Sequence, residues 1–156
     1  MKQLLLLAFT FFVCLSASAQ WSVEFVQEDE LKGITPHYFN YYSDPDKQVF
    51  LFKSNTLFLM VGMKDGIFNS NGNFVNGLVG FYEGDKLVGK ETSTFYVPDE
   101  GIAAVLSGED NRDIILRIFD HIQKKGSVRF VIERYLQSDF DITVPKNPKV
   151  IYDKDL

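Results

Sequence analysis

Cysteine is nearly missing from this chain, and the shortage removes a whole set of chemistries. The single cysteine among 156 residues is Cys14, which lies inside an apolar amino-terminal run. Lys2 precedes that run, and Ser16-Ala17-Ser18-Ala19 follows it. A positive start, a short apolar segment and small residues at minus three and minus one of a cut are the parts of a secretory signal peptide. Cleavage is expected after Ala19, giving a leader at 1–19 and a single β-rich domain at 20–156. The tail at 145–156 then either docks as a short edge segment or frays. The run from Leu4 to Leu15 is about 12 residues, against the roughly 20 that a spanning helix needs, so no transmembrane segment is expected in the mature chain. With Cys14 removed, no disulfide, thiolate nucleophile or cysteine-ligated metal is available. Val13 stands where a lipoprotein carries a small residue, which disfavours lipid anchoring.

Positive charge is scarce as well. The chain carries 16 Lys and Arg against 21 Asp and Glu, and losing Lys2 with the leader widens the gap. Nucleic-acid phosphates require clustered basic side chains. The densest cluster here, Lys124-Lys125, falls at an expected helix end, where the helix dipole accounts for it. Nucleic acid is therefore excluded as a partner.

Histidine is limited to His37 and His121, in different elements. No Gly-x-Ser-x-Gly elbow, His-Glu-x-x-His pair or phosphate-binding glycine loop occurs. The Asn-rich stretch Asn69–Asn73 suggests oxygen ligands for calcium, but it lacks the acids and the distal glutamate of an EF-hand loop. Turn chemistry explains it, and neither a metal nor a cofactor is expected.

What is present is strand pattern. Phe74–Glu83 and Lys86–Val97 are extended runs joined by Gly84-Asp85, a β-hairpin signal. Val75, Val79, Phe81 and Val88 fall on one face, with Phe74, Leu78, Tyr82 and Leu87 on the other. Apolar groups on both faces predict cover on both sides, and Gly77, Gly80 and Gly89 predict curvature. A turn at Asn76-Gly77 is an alternative register. Trp21, Val23 and Phe25 alternate with polar residues as a first strand. Gln48–Lys53 and Thr56–Met63 flank Ser54-Asn55 as a second hairpin, apolar enough to be buried on both faces. Ile102–Ser107 reads as either a short strand or a helical turn. One helix is expected at about 111–125, with Asp110 as N-cap and Gly126 as stop. Its stripe of Ile114, Ile115, Ile118, Phe119 and Ile122 faces the sheet, and Asp113, Arg117, Asp120 and Lys124 face outward. His121 at the stripe edge reads as structural. Two further strands follow, Ser127–Leu136 and Phe140–Val144. The fold class is mainly β: an antiparallel sandwich or partly closed barrel of about seven or eight strands carrying one helix.

The connection between the first two strands contains His37-Tyr38-Phe39-Asn40-Tyr41-Tyr42. Four aromatic side chains in six positions form either a lid over one end of the sheet or a stacking surface for a sugar or peptide. Tyr38, Phe39, Tyr41, Tyr42 and the neighbouring Asp44 are the candidate ligand-binding residues. Carboxylates could instead serve a hydrolase, as Asp44 with Asp46 or Asp139 with Asp141, if a cleft held a pair about 5 to 9 Å apart. The reading that follows is a bacterial protein, periplasmic or extracellular, acting as a non-catalytic binding module for a glycan, a peptide or a protein. The alternatives are the carboxylate hydrolase and a structural subunit assembling through a sheet edge.

Overall fold

The structure, a computed structural model, describes residues 19–150 apart from 28–29, 33–35, 55, 64–67, 69–72, 99–100 and 135. The expected leader up to 18, the turns at 64–66 and 69–72, and the tail from 151 lie outside the described residues.

Nine antiparallel strands form one sheet: β1 (Gln20–Val26), β2 (His37–Asp44), β3 (Lys47–Lys53), β4 (Leu57–Met63), β5 (Phe74–Glu83), β6 (Lys86–Tyr96), β7 (Ala103–Ser107), β8 (Ser127–Ile132) and β9 (Phe140–Val144). Their lateral order is β1-β2-β3-β4-β7-β6-β5-β8-β9. A single pair, Tyr96 with Val105, joins β6 to β7 and so links a five-stranded half to a four-stranded half. The sheet curls without closing: Lys47 at the start of β3 donates to the Asp141 main-chain oxygen on β9 at 2.6 Å. Phe68 meets Phe140 on the same strand, with ring centroids 5.2 Å apart.

The helix α1 (Arg112–Asp120) lies on one face, called inner below; it is preceded by a 3-10 turn at Glu109–Asn111 and continued by a π turn at His121–Lys125. Its expected stripe is the buried one: Ile114, Ile115, Ile118, Phe119 and Ile122 join alternate residues of β2 to β9 in the main core. Period-two alternation places Val49 and Leu51, Leu59 and Val61, Val79 and Phe81, Phe130 and Ile132 on that inner face. Asp110 does not cap the helix, because the 3-10 turn starts one residue earlier, behind Gly108 at φ 86°. Arg117 is exposed, as helical periodicity expects, but it does not stand alone in solvent. It pairs with Glu91 on β6, and its guanidinium carbon stands 4.4 Å from the Phe81 ring centroid. The resulting cation–π contact ties the helix to the hairpin.

Gly126 ends the helical run through close approach. A Cβ there would lie 1.8 Å from the Tyr82 main-chain oxygen. That oxygen accepts a hydrogen bond from His121 Nε2 at 3.0 Å, which fixes the ring tautomer because a carbonyl cannot donate. Buried against Phe81, His121 has the structural role its position suggests. Beyond β9 the chain folds back over the helix end, where Asn147 N donates to Ile122 O and Gln123 donates to Val150 O. The described part of the tail is therefore docked.

Two expectations change and one open alternative is decided. The aromatic segment at 37–42 is not a connection but strand β2, so nine strands replace seven or eight. Ile102–Ser107 contains a strand, β7. The β5–β6 hairpin keeps its Gly84-Asp85 turn, with Gly84 at φ 59°, but it is covered on one side only. Val88 does not join the buried Val79 face: the register shifts at Phe81/Tyr82, so that Phe81 opposes Gly89 and Tyr82 opposes Leu87, and Val88 is left unpaired in the bulge and 44 % exposed.

Candidate interaction surface

The five residues singled out in the sequence do not converge on one surface. Strand alternation sends Phe39 and Tyr41 to the outer face, and Tyr38 and Tyr42 to the inner one. Tyr38 stacks on Phe25 at 4.7 Å and Tyr42 packs against Trp21 at 5.3 Å, so both serve the inner face. Tyr41 and Tyr42 are buried, and burial raises both phenol pKa values; the Asp44 charge adds to the effect at Tyr42. Asp44 ends β2, exposed beside the Pro45-Asp46 turn, and Asp46 is exposed on that turn. This open turn gives the proposed acid pair no cleft. Asp141 is bound twice by Arg129, Nε to Oδ1 at 2.9 Å and Nη2 to Oδ2 at 2.5 Å. The Arg129 hydrogen bond, with added attraction from Lys47, holds its carboxyl below the ordinary range.

The outer face carries a different arrangement. One cross-strand row runs Phe74, Tyr96, Val105, Met60, Phe50, Tyr41 and Ser22 across β5, β6, β7, β4, β3, β2 and β1. Beside it Phe58, Phe52 and Phe39 form a second row, with ring centroids 4.8 Å and 5.2 Å apart. Tyr41, Phe50, Phe52, Met60 and Ala103 are the buried centre of this second cluster. Exposure rises toward the hairpin: Phe74 is 64 % exposed, and Tyr96, Leu78, Leu87 and Val88 are each above 40 % or at it.

The hairpin's outer face is also nearly uncharged. From Phe74 to Tyr82 on β5 it shows Phe, Asn, Leu, Gly and Tyr at alternate positions. From Tyr96 back to Leu87 on β6 it shows Tyr, Thr, Thr, then Lys90 and, past the bulge at Val88, Leu87. Lys90 is the one charge. Depletion of charge among exposed aromatic and aliphatic groups is the compositional mark of a protein–protein contact.

Sequence reasoning missed this surface because it placed binding in a loop. The signal was available in the hairpin itself, whose second apolar face, Phe74, Leu78, Tyr82 and Leu87, the sequence pattern places under cover.

Beside the hairpin turn lies an open groove of about 260 Å³ lined by Tyr82, Gly84, Asp85, Ser127, Arg129 and Thr143. Its arginine is already committed to Asp141. Among the described residues no three His, Cys, Asp or Glu side chains gather as a metal site, and no helix is long and apolar enough to cross a membrane. No family model, curated protein or solved structure matches this chain, so the surface is read from its own geometry.

Proposed function

We propose that this protein is an exported, non-catalytic interaction module that binds a protein partner through the outer face of the β5–β6 hairpin. The observation that carries the reading is the exposure of Phe74, Leu78, Leu87 and Tyr96 on the hairpin's outer face, where Lys90 is the one charge and the nearest others, Arg129 and Glu133, sit on the neighbouring strand β8 and just beyond it. A sheet face suits a protein better than a small ligand, since small-molecule sites are concave. Aromatic side chains supply large contact area at low entropic cost, and such anchors dominate binding energy at interfaces. Export follows from the leader pattern at 1–19, and the absence of clustered cations supports a protein rather than a nucleic-acid partner.

The test is position-specific photo-crosslinking in intact cells that export the protein. A photoreactive residue replaces Leu78 or Thr94 on the outer face, and Asp113 or Lys124 on the exposed side of the helix. The expected result is one adduct of the same mass at both hairpin positions, lost when Phe74→Asp is added, and none at the helix positions. Equal adducts from both sides of the molecule, or none at all, would overturn the reading.

A further inference from the structure

The two edges of the sheet are treated differently. At one edge β9 is five residues long, is followed by Pro145, and has its Asp141 main-chain oxygen taken by the Lys47 side chain. A short strand, a proline and a lysine are the devices that block strand addition. At the other edge β1, QWSVEFV, has seven residues, no proline, no glycine, no basic residue and one acid, Glu24. It is paired to β2 along its whole length, from Gln20 with Ser43 to Val26 with His37. Among the described residues its main chain makes no hydrogen bond on the other side. Phe25 remains 41 % exposed there.

From this asymmetry we infer that β1 is a pairing edge whose occupant is β1 of a second copy, antiparallel about a two-fold axis at Val23. Complementarity within the strand selects this occupant. The register centred on Val23 is the one that overlaps all seven residues of β1 with their counterparts. It places Trp21 opposite Phe25 of the other copy, Ser22 opposite Glu24 and Gln20 opposite Val26. No like charges meet, whereas centring on Glu24 would set carboxylate against carboxylate. The inner-face aromatic row then continues across the axis, from Tyr42 and Trp21 in one copy to Phe25 and Tyr38 in the other, joining the two existing contacts at 5.3 Å and 4.7 Å. Such an interface is isologous and closes at two copies, which forestalls the open-ended growth that a bare edge invites. It lies at the far edge from the β5–β6 hairpin, so the proposed partner surface stays free and the two ideas fail separately.

The experiment uses protein purified after export, so that Cys14 leaves with the leader, and wild type is oxidised in parallel as the thiol control. Sedimentation is expected to give twice the chain mass, and Val23→Lys, which sets two ammonium groups face to face, to weaken dimerisation at least about tenfold with unchanged far-UV circular dichroism. Register is read independently by Val23→Cys. Opposed residues in antiparallel strands have Cα atoms about 4.5–5.5 Å apart, within disulfide reach. Ser22→Cys would face its own copy only diagonally, at roughly 7–8 Å, and is expected to cross-link at least about tenfold more slowly. A monomeric wild type at 100 μM on the order of typical assay concentrations, a dimer that survives Val23→Lys, or equal cross-linking at positions 22 and 23 would each overturn the inference.

Discussion

Replacing Gly126 by alanine tests how the helix is seated on the hairpin. The added Cβ would lie 1.8 Å from the Tyr82 main-chain oxygen, whereas a carbon and a carbonyl oxygen approach to about 3.3 Å without strain. The helix end must therefore retreat by about 1.5 Å from β5. That movement stretches two hydrogen bonds, His121 Nε2 to Tyr82 O at 3.0 Å and Gly126 N to His121 O at 2.9 Å. Overpacking of this kind costs about 1–3 kcal/mol, and each lost hydrogen bond about 1 kcal/mol. The reduced freedom of the unfolded chain returns up to about 1 kcal/mol. The net expectation is a loss of about 3 kcal/mol, or a fall in Tm on the order of 10 °C for a domain this size. Urea unfolding followed by far-UV circular dichroism measures it. Gly84→Ala is the comparison: it sits at φ 59° with nothing within 4 Å of a Cβ, so its cost is backbone strain alone, about 1 kcal/mol. A Gly126→Ala loss no larger than that of Gly84→Ala would refute the seating argument.

Other perturbations separate structure from surface. His121→Leu leaves the Tyr82 oxygen without its donor and is expected to cost about 1–3 kcal/mol in urea unfolding. Leu78→Asp, on the exposed outer face, is expected to change stability by no more than about 0.5 kcal/mol while abolishing the hairpin cross-links. At high pH, Tyr41 and Tyr42 have phenol pKa values raised by burial, so their contribution to stability is complete below pH 10 and lost as pH rises through the folded-state values. Absorbance at about 295 nm should show Tyr41 and Tyr42 ionising above the ordinary phenol range in the folded protein and within it once urea unfolds the chain. Asp141 has the opposite sign. Its folded pKa is depressed, so its contribution holds above the ordinary carboxylate range and fades as pH falls through the folded value. Since the pair with Arg129 is solvent-exposed, Asp141→Asn should cost under about 1 kcal/mol at neutral pH and flatten the acid limb of the stability curve.

The readable parts of the chain were those where one face is wet. The helix stripe at 114, 115, 118, 119 and 122 and the Gly84-Asp85 hairpin stand out because polar residues alternate with apolar ones at the right period. β2 was obscured for the opposite reason. Both its faces meet aromatic or apolar neighbours, so His37–Tyr42 has no polar beat and resembles an aromatic loop. The outer row from Phe74 to Tyr41 could not be seen at all without register, since it is assembled from six strands whose lateral order is not their chain order. Val88 shows the same difficulty in miniature: a bulge at Phe81/Tyr82 leaves it unpaired and exposed, out of the buried Val79 face to which simple alternation assigns it.

The central claim, that the outer face of the hairpin is a contact surface, is tested most directly by hydroxyl-radical footprinting of the protein in the compartment it occupies and again after purification. Phe74, Leu78 and Tyr96 are expected to react in the purified protein and to be protected in place. Leu31, fully exposed in the connection between β1 and β2, should react equally in both. Equal reactivity of Phe74, Leu78 and Tyr96 in the two preparations would contradict the claim.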